Sequence, residues 1–212
     1  MKKLIITGAD GYVASRIIPH LETKYKLTLI DIDFKKTHNS ETIKFDICNS
    51  PVSELDDITK NHDAIIHLAY VRPEKTRDPN DLKEEIRSFD TEYQNILMAN
   101  KVYQSAYKND LSRVIVASSN HAADWYEHNE IHNNIRDMVS NNLMPYSDNF
   151  YGWAKASYEL LSVPYASGKF GRKLEFVHVR IGFPREITPD ISDNKFIAGK
   201  KGQGIANIKR HL

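Results

Sequence analysis

A tyrosine and a lysine four residues apart, Tyr151 and Lys155, carry a clear chemical signal in the sequence. On a helix this spacing puts both side chains on one face. There the lysine cation favours the phenolate, so the tyrosine can act as a general base for a hydroxyl proton. Upstream, the apolar residues 114–117 end in two hydroxyl side chains, and the second, Ser119, can hydrogen-bond the reacting oxygen. Ser119, Tyr151 and Lys155 are therefore predicted as a catalytic set, with ordinary surface and capping roles as the alternative.

A glycine-rich turn near the N-terminus has the composition of a diphosphate-binding loop. The apolar residues 4–6 run into TGADGYVA at residues 7–14, and apolar residues then recur at helical spacing. Glycines let the backbone approach a diphosphate closely, while the following helix offers unpaired N–H groups and the positive end of its dipole. The residues predicted to line the diphosphate of a dinucleotide are Gly8, Gly11, Tyr12 and Val13.

The acids that follow the next two predicted strands indicate which dinucleotide the turn takes. Asp31 ends the second strand, where a carboxylate accepts hydrogen bonds from the adenosine ribose and repels a 2′-phosphate. It therefore predicts NAD rather than NADP, with Asp33 as a competing candidate for the same role. Asp46 and Ile47 follow the third strand, where the acid is either an acceptor for the adenine amino group or an ordinary turn residue.

The spacing of apolar residues predicts the elements that position these side chains. Short apolar runs alternate with longer amphipathic stretches, which is typical of an α/β fold with a doubly wound parallel sheet. Strands are predicted at residues 3–7, 27–31, 42–45, 64–68, 113–117 and 175–180, and helices at 12–24, 52–60, 81–108 and 151–167. The polar stretch 124–149 is predicted as a long loop with one short helix. The whole loop is expected to act as a lid.

Composition and charge predict one domain of a soluble protein. The 212 residues are 41% apolar, and their net charge of +1 lacks the basic excess of nucleic-acid-binding proteins. The single cysteine, Cys48, excludes an intrachain disulfide and indicates a reducing compartment, the cytoplasm. No apolar run is long enough for a signal peptide or a membrane span. Residues 1–182 are predicted as the domain, and 183–212 as a short tail that is loosely ordered or the remnant of a truncated substrate lobe.

Two histidines in the predicted lid have the spacing of a metal-binding pair. His128 and His132 lie four residues apart, but no third ligand accompanies them at a convincing distance in the sequence. A solvated loop is therefore the favoured interpretation, and no metal site is predicted.

Together these motifs resemble the extended short-chain dehydrogenase/reductases, in their NAD-dependent epimerase/dehydratase branch, over residues 3–182. The resemblance implies a Rossmann fold with a much reduced C-terminal substrate region, and NAD as the cofactor. It implies that Asp46 and Ile47 contact the adenine, and that Lys155 also contacts the nicotinamide ribose. Further cofactor residues that it implies are Leu68 and Ala69, which follow His67, and Asn95 on the long helix. It also implies a homodimer through the helices 81–108 and 151–167, although core packing explains their apolar faces equally well.

Within this branch, Ala-Ser-Ser-Asn-His at residues 117–121 and Val-Arg-Ile-Gly at 179–182 are similar to uronate dehydrogenases. This similarity implies that Ser119, Asn120, His121 and Arg180 hold a sugar acid, since amide donors and an arginine fork suit a carboxylate. An ordinary strand-end cation is the alternative for Arg180. The predicted function is NAD-dependent oxidation of a sugar or sugar-acid hydroxyl. The alternatives are epimerisation or dehydration of a nucleotide sugar, and a sensor that binds NAD without turnover.

Overall fold

Six strands form one parallel sheet in the computed structural model, which describes residues 1–74 and 82–182. The strands are β1 (Lys3–Thr7), β2 (Lys26–Asp31), β3 (Glu41–Lys44), β4 (Ala64–His67), β5 (Arg113–Ser119) and β6 (Glu175–Ile181), and the helices are α1 (Ala14–Leu21), α2 (Val52–Thr59), α3 (Leu82–Lys108), α4 (Asp124–Tyr126) and α5 (Phe150–Ala166). The order across the sheet is β3-β2-β1-β4-β5-β6, and all neighbours are parallel. The predicted doubly wound sheet is confirmed. Its order reverses between β1 and β4, and this switch point is where such sheets bind ligands.

The sheet is buried on both faces, which explains the nearly unbroken apolar runs of its central strands. On one face, Ile5 belongs to a buried cluster with Val102 of α3 and Tyr158 of α5. On the other face, Ile6 shares a second cluster with Ile18 of α1. The two clusters fix the strands, and with them the loops at their carboxyl ends.

The first helix, α1, is shorter than the predicted helix 12–24. The glycine-rich turn extends through Val13, and the amides of Lys24 and Tyr25 both donate to the Leu21 carbonyl at 3.0 and 2.9 Å, which closes the helix. Pro19 lies inside α1 and offers no N–H to the preceding turn, so the helix has one bond fewer than a regular one. Each of the other predicted strands and helices begins and ends within two residues of the observed element, at every end that the structure describes.

Two predictions concern residues outside those that the structure describes. One is Asp81, predicted as the first residue of the third helix. The other is the tail 183–212, predicted as loosely ordered or as the remnant of a substrate lobe.

The segment between β5 and α5 begins as a helix. A 3₁₀ turn (Asn120–Ala123), α4 and a π turn (Glu127–Ile131) follow one another without a break. Residues 132–149 then contain neither helix nor strand, although the ring of Tyr146 packs against Trp125 with 5.1 Å between centroids. The prediction of a long irregular segment with one short helix agrees with the structure: α4 begins at Asp124, the first residue of the predicted stretch, and the 3₁₀ turn before it begins directly after Ser119. No helix among the described residues is long and apolar enough to cross a bilayer.

Candidate active site

The glycine-rich turn lies at the carboxyl end of β1, against the backbone that follows β4. Gly8 has a φ of +68°, and a Cβ on it would lie 2.6 Å from the nitrogen of Ala69 and 2.8 Å from the carbonyl carbon of Leu68. The amide of Gly11 donates to the carbonyl of Gly8 at 3.1 Å and closes the turn. Only glycine combines this left-handed conformation with this close approach. The turn and the Leu68–Ala69 backbone therefore meet at the switch point, which is the geometry that a diphosphate requires.

Tyr12 and Val13 complete the turn ahead of α1. The ring of Tyr12 is exposed, and the guanidinium of Arg16 lies over it at 3.4 Å from its centroid. Val13 already has helical backbone angles, and its carbonyl accepts from the amide of Ile17 at 3.3 Å. Both residues therefore lie at the amino end of α1, as predicted.

Of the two competing acids, Asp31 is the one beside the turn. Its Oδ2 accepts a hydrogen bond from the Asp10 amide at 2.9 Å, and its Oδ1 accepts from the Ile32 amide at 2.8 Å. Asp33 is exposed and pairs with Lys44 on β3 at 2.6 Å. The structure therefore favours Asp31 over Asp33 as the acid at the crevice.

Asp46 and Ile47 follow β3, with Ile47 buried in the core. The carboxylate of Asp46 accepts from the side-chain amide of Asn49 at 2.7 Å and from its backbone amide at 3.1 Å. The side-chain bond from Asn49 is the main cause of a lowered pKa for Asp46. The Asp46 carboxylate thus stabilises its own turn. This is the ordinary role that the sequence left open as the alternative to an adenine contact.

Asn95 on α3 holds the loop after β4. Its Nδ2 donates to the carbonyl of Val71 and its Oδ1 accepts from the amide of Val71, both at 2.8 Å. The side chain is fully buried. Asn95 therefore positions the loop next to Ala69, and its expected contact with the cofactor stays a prediction.

Ser119, Tyr151 and Lys155 come together where β5 ends and α5 begins. Asn149 caps α5, because its Oδ1 accepts from the Gly152 amide at 2.8 Å. A Cβ at Gly152 would overlap the carbonyl oxygen of His121, so only glycine lets α5 approach the end of β5 this closely. The side chains of Ser119 and Tyr151 are hydrogen-bonded, and Nζ of Lys155 lies 5.8 Å from the centre of the Tyr151 ring. The structure thus brings the predicted catalytic set together.

Burial governs the protonation of this set. It lowers the pKa of the Lys155 ammonium to about 8, and the negative charge of Glu92 acts in the opposite direction. Burial also raises the pKa of Tyr151 above its ordinary 10.0, although the hydrogen bond from Ser119 lowers it. The i, i+4 spacing predicts that Lys155 lowers this pKa. In the structure its Nζ donates to the Ala117 carbonyl at 3.1 Å. Desolvation of the phenol has the largest effect on the Tyr151 pKa, and the nearby cation that lowers it is Arg72.

Asn120 and His121 begin the helical segment directly after Ser119. The Oγ of Ser119 donates to Oδ1 of Asn120 at 3.4 Å. The ring of His121 lies edge-on to Tyr151 with 5.5 Å between centroids, and its Nδ1 donates to Oδ2 of Asp124 at 2.6 Å. Asp124 is buried and also accepts from Nδ2 of Asn149 at 2.9 Å, so it connects His121 to the cap of α5.

Arg180 on β6 is paired within the chain. Its Nε and Nη2 donate to the two carboxylate oxygens of Glu159 on α5 at 2.9 and 2.7 Å, and Ser118 donates to the same carboxylate at 2.7 Å. Although burial raises the pKa of Glu159, the bonds from Arg180 and Ser118 bring it below its ordinary 4.5. The pair connects β6 to α5, which is close to the ordinary structural role that the sequence left open for Arg180, and the expected contact with a substrate carboxylate stays a prediction.

Two residues of the site were missed by the sequence argument. Glu92 on α3 is 1% exposed and accepts a hydrogen bond from the hydroxyl of Tyr70, which follows Ala69. The Tyr70 ring lies edge-on to that of Tyr151, with 5.6 Å between centroids. The burial of Glu92 could have been predicted from its spacing, because it lies on the same helical face as Asn95 and Ala99, which are both buried.

No group of three or more histidine, cysteine, aspartate or glutamate side chains that could hold a metal ion occurs within residues 1–74 and 82–182. His128 pairs with Asp148 at 2.6 Å, and the rings of His128 and His132 lie 5.7 Å apart. Both histidines of the predicted lid therefore contact neighbouring side chains of this chain.

Comparison with known proteins agrees with this geometry. The family model for the NAD dependent epimerase/dehydratase family matches residues 4–181. A solved structure of a mutated uronate dehydrogenase is 30% identical with a TM-score of 0.68, over 87% of this chain and 61% of that one. A glucuronic acid dehydrogenase from Chromohalobacter salexigens is 27% identical with a TM-score of 0.68, over 87% and 62% of the two chains. An L-arabinose 1-dehydrogenase (NAD(P)(+)) from Haloferax volcanii is 26% identical, over 86% of this chain and 67% of its own length. The chain thus spans less than two thirds of the length of the two solved structures.

Proposed function

The chain belongs to the NAD-dependent epimerase/dehydratase family, and from that premise we propose that it is an NAD-dependent dehydrogenase that oxidises a hydroxyl of a small sugar or sugar acid. The observation that carries the proposal is the meeting of Ser119, Tyr151 and Lys155 beside the switch point of the sheet. A protein that only bound the cofactor would have no use for this set. The dehydrogenases among its relatives support oxidation over epimerisation.

The crevice at the switch point fits a dinucleotide. The close approach of Gly8 to Ala69 leaves no side chain between the turn and a diphosphate, and Asp31 lies where the adenosine ribose hydroxyls need an acceptor. Bound NAD supplies the hydride acceptor for the oxidation. The residues proposed to hold it are Gly8, Gly11, Tyr12, Val13, Asp31, Asp46, Ile47, Leu68, Ala69 and Lys155.

In the proposed mechanism, the oxygen of Tyr151 accepts the proton of the substrate hydroxyl. Ser119, already hydrogen-bonded to Tyr151, orients that hydroxyl for the transfer. Burial makes the Tyr151 phenolate a strong base but also makes it costly to form, so the nearby Lys155 cation is needed to stabilise it. Asn120 and His121 lie at the same end of β5 and are proposed to contact other hydroxyls of the sugar.

The experiment is a screen of aldoses, uronates and nucleotide sugars for NADH formation, followed by Tyr151→Phe and Lys155→Met on the best substrate. Tyr151→Phe removes only the ionisable oxygen, so turnover should fall by about 10²–10⁴-fold. Its affinity for NAD should stay within a few-fold of the parent, whereas Lys155→Met should lower both. Full activity in Tyr151→Phe would contradict the mechanism. Conversion of a nucleotide sugar without net NADH would identify an epimerase, and NAD binding without any turnover would identify a sensor.

We propose a homodimer through the outer faces of α3 and α5, which carry exposed apolar side chains. Leu97 on α3 is 44% exposed and Val163 on α5 is 57% exposed. Between these helices, the exposed ring of Phe89 stacks on Trp153 at 5.7 Å. Val163→Glu should shift the sedimentation equilibrium from dimer to monomer, because it buries a charge in the interface. The matched control is Val177→Glu on β6, where the parent valine is 43% exposed. A monomeric parent, or equal effects of both variants, would refute the interface.

We further propose that the protein acts in the cytoplasm. The support is cysteine usage: the chain has a single cysteine, Cys48, and low cysteine use is typical of proteins in a reducing compartment. A reporter fusion of the intact gene product, located by microscopy and fractionation, tests this assignment.

A further inference from the structure

Glu92 is a buried carboxylate beside the candidate active site. It lies on α3, is 1% exposed and accepts a hydrogen bond from the hydroxyl of Tyr70 on the loop after β4. The side-chain amide of Asn95 donates to its Oε2 at 3.4 Å. Leaving an acid in this environment costs free energy unless a charge and hydrogen bonds compensate it. The packing of α3 alone therefore does not explain its presence.

The ammonium of Lys155 lies over the ring of the same Tyr70 that bonds Glu92. Its Nζ is 4.9 Å from the centre of the Tyr70 ring and 4.5 Å from that of Tyr158, so it contacts two aromatic rings. Nζ also donates a hydrogen bond to a neutral carbonyl, that of Ala117. Within the described chain, Glu92 is the acid whose charge acts on Lys155.

The other groups that face Lys155 do not supply a negative charge near neutral pH. Burial lowers the pKa of His67 on β4 to about 3, so its ring is neutral. Burial raises the pKa of Tyr70 and of Tyr158 above the ordinary value, so both stay protonated. Tyr151, also on α5, has a raised pKa as well. Among the charges of the described residues, that of Glu92 is therefore the one that favours the charged form of Lys155.

We propose that Glu92 is a positioning residue of the active site: its carboxylate keeps Lys155 charged and, through the hydroxyl of Tyr70, fixes the ring that packs against both Lys155 and Tyr151. This inference rests on the proposed function, because it concerns the same catalytic set. Tyr70 contacts two of the three residues of that set, edge-on to Tyr151 at 5.6 Å and under Nζ of Lys155. Glu92 thus connects α3 to the acid–base chemistry of α5 without touching the reacting atoms.

The role matters because the pKa of Lys155 lies close to neutrality. With a pKa of about 8, Lys155 is mostly charged at neutral pH, and loss of the Glu92 charge would lower this pKa further. A neutral Lys155 would no longer stabilise the Tyr151 phenolate. Removing the carboxylate charge should therefore narrow the pH range of activity from its basic side.

The decisive measurement is an NMR titration of Lys155 in the intact protein labelled with isotopic lysine, assigned by comparison with Lys155→Met. Glu92→Gln keeps the size of the side chain and an acceptor for Tyr70, so it should lower the titration midpoint of Lys155 by about 1 pH unit or more. Tyr70→Phe removes a hydrogen bond to Glu92 but no acidic group, so it should move the midpoint less than Glu92→Gln does. The matched control, Glu159→Gln, removes an acid one helical turn beyond Lys155 and should leave the midpoint in place.

An unchanged midpoint in Glu92→Gln would overturn the proposal, and so would an equal shift in Tyr70→Phe, because packing would then explain the coupling. If Glu92→Gln does not fold, the parent protein alone decides. The side-chain carboxyl resonance of Glu92 should then show an inflection at the Lys155 midpoint, and its absence would refute the charge coupling. These readouts need no turnover, so they separate this inference from the proposed function. If the protein shows no activity but Glu92→Gln still lowers the Lys155 midpoint, the proposed function is wrong and this inference stands.

Discussion

The backbone of Gly8 lies against that of Ala69 so closely that a Cβ on Gly8 would stand 2.6 Å from the Ala69 nitrogen. The contact joins the carboxyl ends of β1 and β4, the two strands on either side of the switch point. Any widening of this contact changes the shape of the crevice that is proposed to hold the diphosphate. The stability of the sheet and the affinity for the cofactor therefore depend on the same pair.

Gly8→Ala should cost both stability and cofactor affinity. The left-handed conformation costs an alanine about 1–2 kcal/mol, and the Ala69 backbone must also move to admit the methyl group. Urea unfolding measures the first effect, and calorimetric titration with NAD measures the second. The matched control is Gly168→Ala, where φ is +81° but the Cβ meets only the flexible side chain of Lys173. Equal losses in the two variants would show that the Ala69 contact has no role.

Asp31→Ala should reduce the preference for NAD over NADP. The carboxylate lies beside the glycine-rich turn, where it repels a 2′-phosphate. Competitive titration of both dinucleotides should show that the parent binds NAD more tightly than NADP. The ratio of the two affinities should be smaller in the variant. Asp33→Ala is the control, since that acid is exposed and paired with Lys44. NADP binding as tightly as NAD to the parent would contradict the assignment.

The Glu159–Arg180 pair should make stability depend on pH in the acid range. Because the pKa of Glu159 is lowered on folding, the pair contributes fully above the unfolded value near 4.5 and is lost as pH falls through the folded value. Glu159→Gln should cost about 1.5–3 kcal/mol at neutral pH and flatten the pH dependence of the unfolding free energy below 4.5.

The control for this prediction is Glu175→Gln, which breaks the exposed pair with Arg113. The side chains of that pair are 51% and 63% exposed, so its loss should cost less than about 1 kcal/mol. The prediction is wrong if the two variants show the same cost and the same pH dependence.

The irregular segment 132–149 should exchange its backbone amide protons much faster than β5 in the absence of substrate. It contains neither helix nor strand, and it leads into Tyr151 at the start of α5. Hydrogen exchange with and without NAD and substrate measures its opening. Protection equal to that of β5 before any ligand is added would exclude its role as a lid.

The catalytic set could be predicted because its spacing follows local rules. Tyr151 and Lys155 share a helical face at i and i+4, and Ser119 ends a strand whose apolar run marks it as buried. The pair of Arg180 and Glu159 could not be predicted, because the two residues lie on different elements and nothing in the sequence pairs them. Glu92 was not predicted for a related reason. A single acid on a long helix is normally interpreted as exposed to solvent, and only the folded structure shows the neighbouring loop that covers it.

The packing of Trp125 against Tyr146 has a spectroscopic consequence. The sequence contains two tryptophans. Trp125 lies in the segment between Ser119 and Tyr151, and Trp153 lies one helical half-turn beyond Tyr151, against Phe150 at 6.1 Å. Indole emission responds to the polarity around the ring and to quenching by nearby groups. The tryptophan fluorescence of this protein therefore originates from two rings close in the chain to Ser119 and Tyr151, so selective excitation of tryptophan makes the native chain an unlabelled optical reporter of movement in the segment between them.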